Sequence, residues 1–212
     1  MSKTVANIVA DVRLAIDEVG VNDAEFFSGS DETQLKNLII SKLCEAVDWV
    51  HSSAALELMA GDVFEHGTVS SSGLSVTDMI RFVQARGYGW TNAVRELTEE
   101  GTEEYFLAVD EYVGASVERP AVVLEYVDGG RLLSLLPVDS SHNGNAVYVN
   151  RLAVPSGGWQ DSSTVAVDSN LYTAMVEYLG GLVLMVLNDD RGENLIQLAK
   201  SMIGLDVNKN GN

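Results

Sequence analysis

Residues 171–186 read LYTAMVEYLGGLVLMV. Leu171, Ala174, Met175, Tyr178, Leu179, Leu182, Val183 and Val186 recur at spacings of three and four, which is one buried face of an α-helix. Asp168 or Ser169 can cap its start. Gly180 and Gly181 fall mid-helix, where each costs roughly 1 kcal/mol relative to alanine. A neighbouring helix packed closely against them would offset that cost. This stretch decides the fold, because its buried face must find helical partners elsewhere in the chain.

The partners come from both ends of the chain. A last helix is predicted from about Gly192 to Ile203, with Leu195, Ile196, Ala199, Met202 and Ile203 on its stripe. The first runs from Lys3 to Val19 on Val5, Ile8, Val9, Val12, Ile16 and Val19, with Gly20 to stop it. A second begins near Asp31, where Gln34 completes a capping box. Its stripe is Leu35, Leu38, Ile39, Leu43, Ala46, Val47 and Val50, and it is expected to continue towards Met59 and end at Gly61. The simplest arrangement is a four-helix base from residues 1–61 and 168–204, with 62–167 inserted and 205–212 as a polar tail. The fold class expected is α+β, with the β content confined to the insertion.

Within the insertion, Pro120 blocks a helix and introduces a Val-rich strand, Ala121 to Val127. Asp128-Gly129-Gly130 is a hairpin turn, with Arg131 to Val138 as the return strand. Ala146 to Val154 reads as another strand. Ile80 to Ala85 fits neither the helical nor the strand period. Glu96 to Val113 reads as a short acidic helix, with Tyr105, Phe106, Val109 and Tyr112 on or near one face.

The 212 residues are 46% hydrophobic and 21% charged, a globular composition that excludes a mostly disordered chain. No apolar run is long enough to span a bilayer, and the polar start lacks a signal-peptide core. Cys44 is the single cysteine, so no internal disulfide forms and a reducing compartment is expected. Thirty-one acids against thirteen bases give a net charge of −18. Affinity for nucleic acid rests on Lys and Arg displacing counterions, so ordinary DNA or RNA binding is not expected.

Enzyme signatures are missing. There is no Walker loop, no His-Glu-x-x-His and no Gly-x-Ser-x-Gly. Gly87-Tyr88-Gly89 begins like a dinucleotide fingerprint, but Asn92 stands where the third glycine belongs. His51, His66 and His142 form no ligand pair at helical spacing, and Cys44 reads as a small helix-packing residue. Asp206-x-Asn208-x-Asn210-Gly211 matches the first half of an EF-hand loop and lacks its bidentate glutamate. No metal or cofactor is expected. Between Glu96 and Asp128 stand ten acids and one base, Arg119, which reads as a solvated or lumen-facing surface, with a calcium site as the sharper alternative. Trp49 reads as core. Trp90 and Trp159 lie in Gly-rich surroundings and are candidates for either core or interface.

The order of segments resembles a known family. Val12-Arg13-Leu14-Ala15-Ile16-Asp17-Glu18 followed by Gly20-Val21-Asn22-Asp23-Ala24-Glu25-Phe26 is similar to the start of head–tail connector proteins of tailed bacteriophages, nearest to those of gut Bacteroides phages. The likeness continues through Leu38-Ile39-Ile40, Ala46-Val47, Asp78-Met79-Ile80-Arg81-Phe82, Glu104-Tyr105 and Tyr112. It ends with Tyr178-Leu179-Gly180-Gly181-Leu182-Val183-Leu184. Where the family usually has proline before the Asp-x-x-Arg segment, this chain has Ser75-Val76-Thr77.

The resemblance implies a helical core with an inserted β region and a structural role without catalysis. It implies a virion neck ring, usually of twelve copies, that joins the portal protein to the tail or to a second neck ring. Leu205, Asp206, Val207 and Asn208 become portal-docking candidates, and Glu99, Glu100, Glu103 and Glu104 candidates for an acidic channel wall around duplex DNA. A different neck or tail-completion protein, an acidic DNA mimic that occupies a host protein's nucleic-acid site, and an enzyme with unrecognised residues are the alternatives.

Overall fold

A computed structural model describes residues 2–19 and 30–205. After strand β1 (Ser2–Thr4) come helices α1 (Val5–Val19) and α2 (Ser30–Ser53). The middle supplies β2 (Glu65–Val69), β3 (Leu74–Ser75), β4 (Met79–Arg86), β5 (Thr98–Glu99) and the short α3 (Glu103–Val109). It continues with β6 (Ala121–Val127), β7 (Gly130–Leu136) and β8 (Gly144–Asn150). Strand β9 (Thr164–Ala166) then precedes α4 (Tyr172–Val186) and α5 (Arg191–Met202). The fold is mixed α+β. Two compact units divide the chain, one made of residues up to Val63 and from Leu152 onward, the other of Phe64–Arg151.

In the first unit α4 packs against α1, α2 and α5, as its apolar stretch requires. Leu171, Ala174, Met175, Leu179 and Val183 are buried as predicted, joined by Val176 and Leu184, while Val186 is exposed. Ile8 and Val12 of α1, Ile39 and Leu43 of α2, and Leu195 and Ala199 of α5 complete this core. One aromatic stack and one hydrogen bond tie α4 to its neighbours. Tyr178 stacks on Trp49 of α2 at 3.8 Å between ring centroids, and the Tyr172 hydroxyl donates to Asp11 Oδ2 of α1 at 2.5 Å. Burial and the Asp11 carboxylate both push the Tyr172 pKa up, so the hydroxyl keeps its proton.

Three expectations for this unit need correction. Helix α2 stops at Ser53, since Ala55 already has extended backbone, and a single 3-10 turn (Leu56–Leu58) follows in place of the predicted continuation. The insertion was expected to reach residue 167, yet 152–167 belong with the helices. Strand β9 pairs antiparallel with β1 (Lys3↔Val165), Ser163 O accepts from Val5 N, and Asp48 Oδ1 accepts from Leu152 N at 2.8 Å. Asp168 does not cap α4, whose N-cap position is Leu171. It is fully buried instead, with Oδ2 accepting from Ala60 N at 2.7 Å and Oδ1 from Asn170 N at 2.9 Å.

His51 of α2 is also buried and accepts the Asp168 backbone N–H at Nε2, 3.2 Å away. That bond needs a lone pair on Nε2. Burial lowers the His51 pKa, outweighing the attraction of Asp168, Asp48 and Asp62 for a proton. Below about pH 6.5 the unfolded chain therefore binds a proton that the folded chain resists. Stability should fall as pH drops from 6.5 towards the lower folded value, then level off. Urea unfolding at pH 7 and pH 5 should show a larger loss for the native chain than for His51→Gln, whose amide oxygen still accepts. Equal losses would mean that His51 does not govern this window.

The second unit is two antiparallel-rich sheets around a core of Val69, Val76, Met79, Ala85, Trp90, Val122, Leu124, Leu133, Leu135 and Ala146. One sheet has the order β2-β8-β4 and the other β3-β7-β6-β5, with β5 parallel to β6 and every other pairing antiparallel. The β6–β7 hairpin turns at the predicted Asp128-Gly129, both ends of the ladder in register from Ala121↔Leu136 to Val127↔Gly130. Residues 80–85 are strand after all. Two irregularities interrupt β4, between Met79 and Arg81 and between Phe82 and Gln84, and each shifts the inward-facing set by one. Strand β8 ends at Asn150, four residues before the predicted limit.

The predicted helix from Glu96 to Val113 is reduced to the seven residues of α3. Thr98–Glu99 is extended and pairs with Val123 and Leu124. Gly101, at φ +88°, turns the chain, and Thr102 caps the helix by accepting from Tyr105 N.

Candidate interaction surface

The expected site residues part company in the structure. Trp90 is 3% exposed and belongs to the core of the second unit, so it is no interface residue as folded. Its glycine-rich surroundings serve packing: a Cβ on Gly87 would stand 2.6 Å from the Trp90 ring. Arg86 secures the same turn by donating Nε and Nη2 to Trp90 O. Trp159, in the first unit, is half-buried. Its indole N–H is shielded from solvent without a full hydrogen-bond partner, and the Cys44 thiol is the polar group beside it. Burial raises the Cys44 pKa more than that neighbour lowers it, which keeps the thiol protonated.

Leu205 is partly exposed at the end of α5, its N–H held by Lys200 O. Asp206, Val207 and Asn208 lie outside the described residues, as does the EF-hand-like run to Gly211 and the Gly20 to Gly29 segment.

Glu99, Glu100, Glu103 and Glu104 gather at the β5–α3 corner of the second unit, and all four are exposed. Glu100 Oε2 accepts from Tyr126 N at 2.8 Å, which fastens that corner to the end of β6. Glu125 faces it, accepting from the Tyr105 hydroxyl at 3.3 Å and from Ser134 Oγ at 2.9 Å. The expected apolar face of α3 is not buried: no residue of this helix is. Phe106 and Leu107 are more than half exposed, and Tyr112 reaches 90%. Val109, Val113 and Val117 are exposed beside them.

A polar groove also lies in the second unit, where Tyr88 and the His142 ring stack at 3.7 Å between centroids. His142 Nδ1 sits 3.1 Å from Asp139 Oδ2. Asp139 also accepts from the backbone N–H groups of Ser141 and His142, which with the imidazole lower its pKa. No sequence spacing announced the Tyr88–His142 stack, because Tyr88 follows β4 and His142 lies in the loop between β7 and β8. Among the described residues no group of three or more His, Cys, Asp or Glu is placed to hold a metal ion. Nor is any described helix long and apolar enough to cross a membrane.

Neither a scan against protein-family models nor a search of curated proteins finds a match to this chain.

Proposed function

We propose that the protein is a structural component of a phage neck, a head–tail connector that assembles as a ring of about twelve copies between portal and tail. The reading is supported chiefly by architecture. Helices from the two ends of the chain pack together around α4, and an independent β-rich unit is inserted between α2 and α4, which is the organisation that the resemblance to connector proteins implies. The resembling segments on α1, α2 and α4 include core positions such as Val12, Ile39, Val47 and Leu179. The shared pattern is therefore one of packing.

The charge has a mechanical use in this reading. A wall that carried clustered Lys and Arg would displace counterions from the passing phosphates into solution and hold the duplex. A chain with 31 acids and 13 bases repels it and keeps the sliding barrier low. The same repulsion acts between subunits, so ring formation would need the portal as a template and would strengthen with salt.

Counting the protein in purified particles by quantitative mass spectrometry, with the portal protein as internal standard, tests the proposal. The expected ratio is close to one copy per portal subunit. Absence from intact particles would overturn it and leave the acidic host-interaction protein as the better reading.

A further inference from the structure

We infer that residues 106–117 of the second unit form a preorganised docking element for a different protein, one whose surface offers an apolar recess bordered by Lys and Arg. The inference goes beyond the connector reading and does not depend on it. Isolated exposed apolar residues are normal on any protein. Here Phe106, Leu107, Val109, Tyr112, Val113 and Val117 are exposed within twelve consecutive residues.

The backbone beneath them is tightly held. Asp110 Oδ1 accepts from Tyr112 N at 2.7 Å and from Val113 N at 2.9 Å, and these bonds lower the Asp110 pKa so that its charge persists. Ala108 O accepts from Ala115 N, and Ser116 and Arg119 exchange backbone hydrogen bonds at 3.1 Å. A Cβ on Gly114 would stand 2.1 Å from Asp110 O, so the loop closes on itself more tightly than any side chain there permits. A segment already ordered loses little conformational entropy on binding.

Charge selects the occupant. Glu99, Glu100, Glu103, Glu104, Asp110, Glu111, Glu118 and Asp128, within or flanking this segment in sequence, are all exposed, and Arg119 is the one base between residues 96 and 128. A partner must then bring cations to the rim, because like charges facing each other across an interface suppress binding. A second copy of this chain is poorly suited, with 13 bases against 31 acids. An anionic lipid surface would repel the same carboxylates. A basic-rimmed protein surface satisfies both the apolar and the charged requirement.

Photo-crosslinking tests this in the full chain, with benzoylphenylalanine at Tyr112 and, as control, at the exposed Ser72 of the same unit. After irradiation of the producing cells, mass spectrometry should find adducts at 112 with one other protein, at a peptide richer in Lys and Arg than in Asp and Glu. The charge reversal Glu103→Lys with Glu104→Lys, which changes only exposed side chains, should cut the adduct at least about tenfold while lowering the thermal melt by no more than a few °C, the cost of Lys in the first turn of α3. Adducts between copies of this chain, adducts to lipid or to an acidic surface, or a yield no higher than at residue 72 would each overturn the inference. Finding the chain at portal stoichiometry with no adduct at 112 would sink the docking element alone. A specific basic partner in a chain absent from particles would sink the connector reading alone.

Discussion

Gly181→Val is expected to cost about 3 kcal/mol or more and to lower Tm by roughly 10 °C, at the 2–4 °C per kcal/mol typical of this chain length. The reason is the α4–α5 contact. A Cβ at Gly181 would stand 2.6 Å from Ile196 Cγ1, 2.8 Å from Gly192 O and 3.1 Å from Ile196 N. Ile196 Cγ1 can move. The two backbone atoms cannot without shifting α5. The approach is reciprocal, since a Cβ at Gly192 would lie 2.7 Å from Gly181 O and 2.9 Å from Met185 N.

Alanine separates the competing terms. Gly→Ala inside a helix gains roughly 1 kcal/mol in propensity, and at Gly180 the nearest atom to the new methyl is the mobile Leu195 Cδ1 at 3.3 Å. Gly180→Ala should therefore be neutral or mildly stabilising. Gly181→Ala should still lose about 1–2 kcal/mol, because the overpacking exceeds the propensity gain. Differential scanning calorimetry of the three variants decides it. A Gly181→Ala protein as stable as the native one would mean that α5 yields easily and that the close crossing is incidental.

The same glycine pair shows what could be read in advance. An unfavourable doublet inside an apolar helical stripe signals a close neighbour, because little else compensates its cost, and α5 is that neighbour. The hairpin at Asp128-Gly129 was legible for an equally local reason: turn chemistry is written in two residues. Strand β4 was not, because two bulges each move its inward-facing residues across the sheet and erase the alternation on which strand recognition depends. The apolar spacing from Tyr105 to Tyr112 misled in another way. Periodicity reports which residues would share a face, but only the fold decides whether anything covers it, and α3 is left uncovered. Trp90 was ambiguous because glycines around a tryptophan accompany both binding surfaces and tight turns. The Gly87 approach to its ring is of the second kind.

Least legible was Asp168, since its partners lie more than a hundred residues away in sequence or on the backbone beside it. Asp168→Ala is expected to destabilise the first unit by about 3 kcal/mol, or roughly 6–12 °C in Tm. The carboxylate uses one oxygen for Ala60 N and the other for Asn170 N, and the Asn170 amide in turn donates to Leu58 O at 3.1 Å. The turn after α2 is thus tied to the entry of α4 through one buried side chain. Truncation removes both carboxylate hydrogen bonds, which are part-buried, and a hydrogen bond to a charged group is worth roughly 1.5–3 kcal/mol.

Asp168→Asn distinguishes hydrogen bonding from mere volume. The amide fills the same space but has one acceptor, so its NH2 must face either Ala60 N–H or Asn170 N–H, donor against donor. Most of the alanine cost should therefore persist in the Asn variant. Amide hydrogen exchange should localise the damage, with Ala60 and Asn170 losing protection before the α4 interior does. If Asp168→Asn retains native stability, only one of the two bonds matters. If Asp168→Ala does as well, water reaches both donors, and the join between α2 and α4 rests on the packing of Met175 and Leu179 instead.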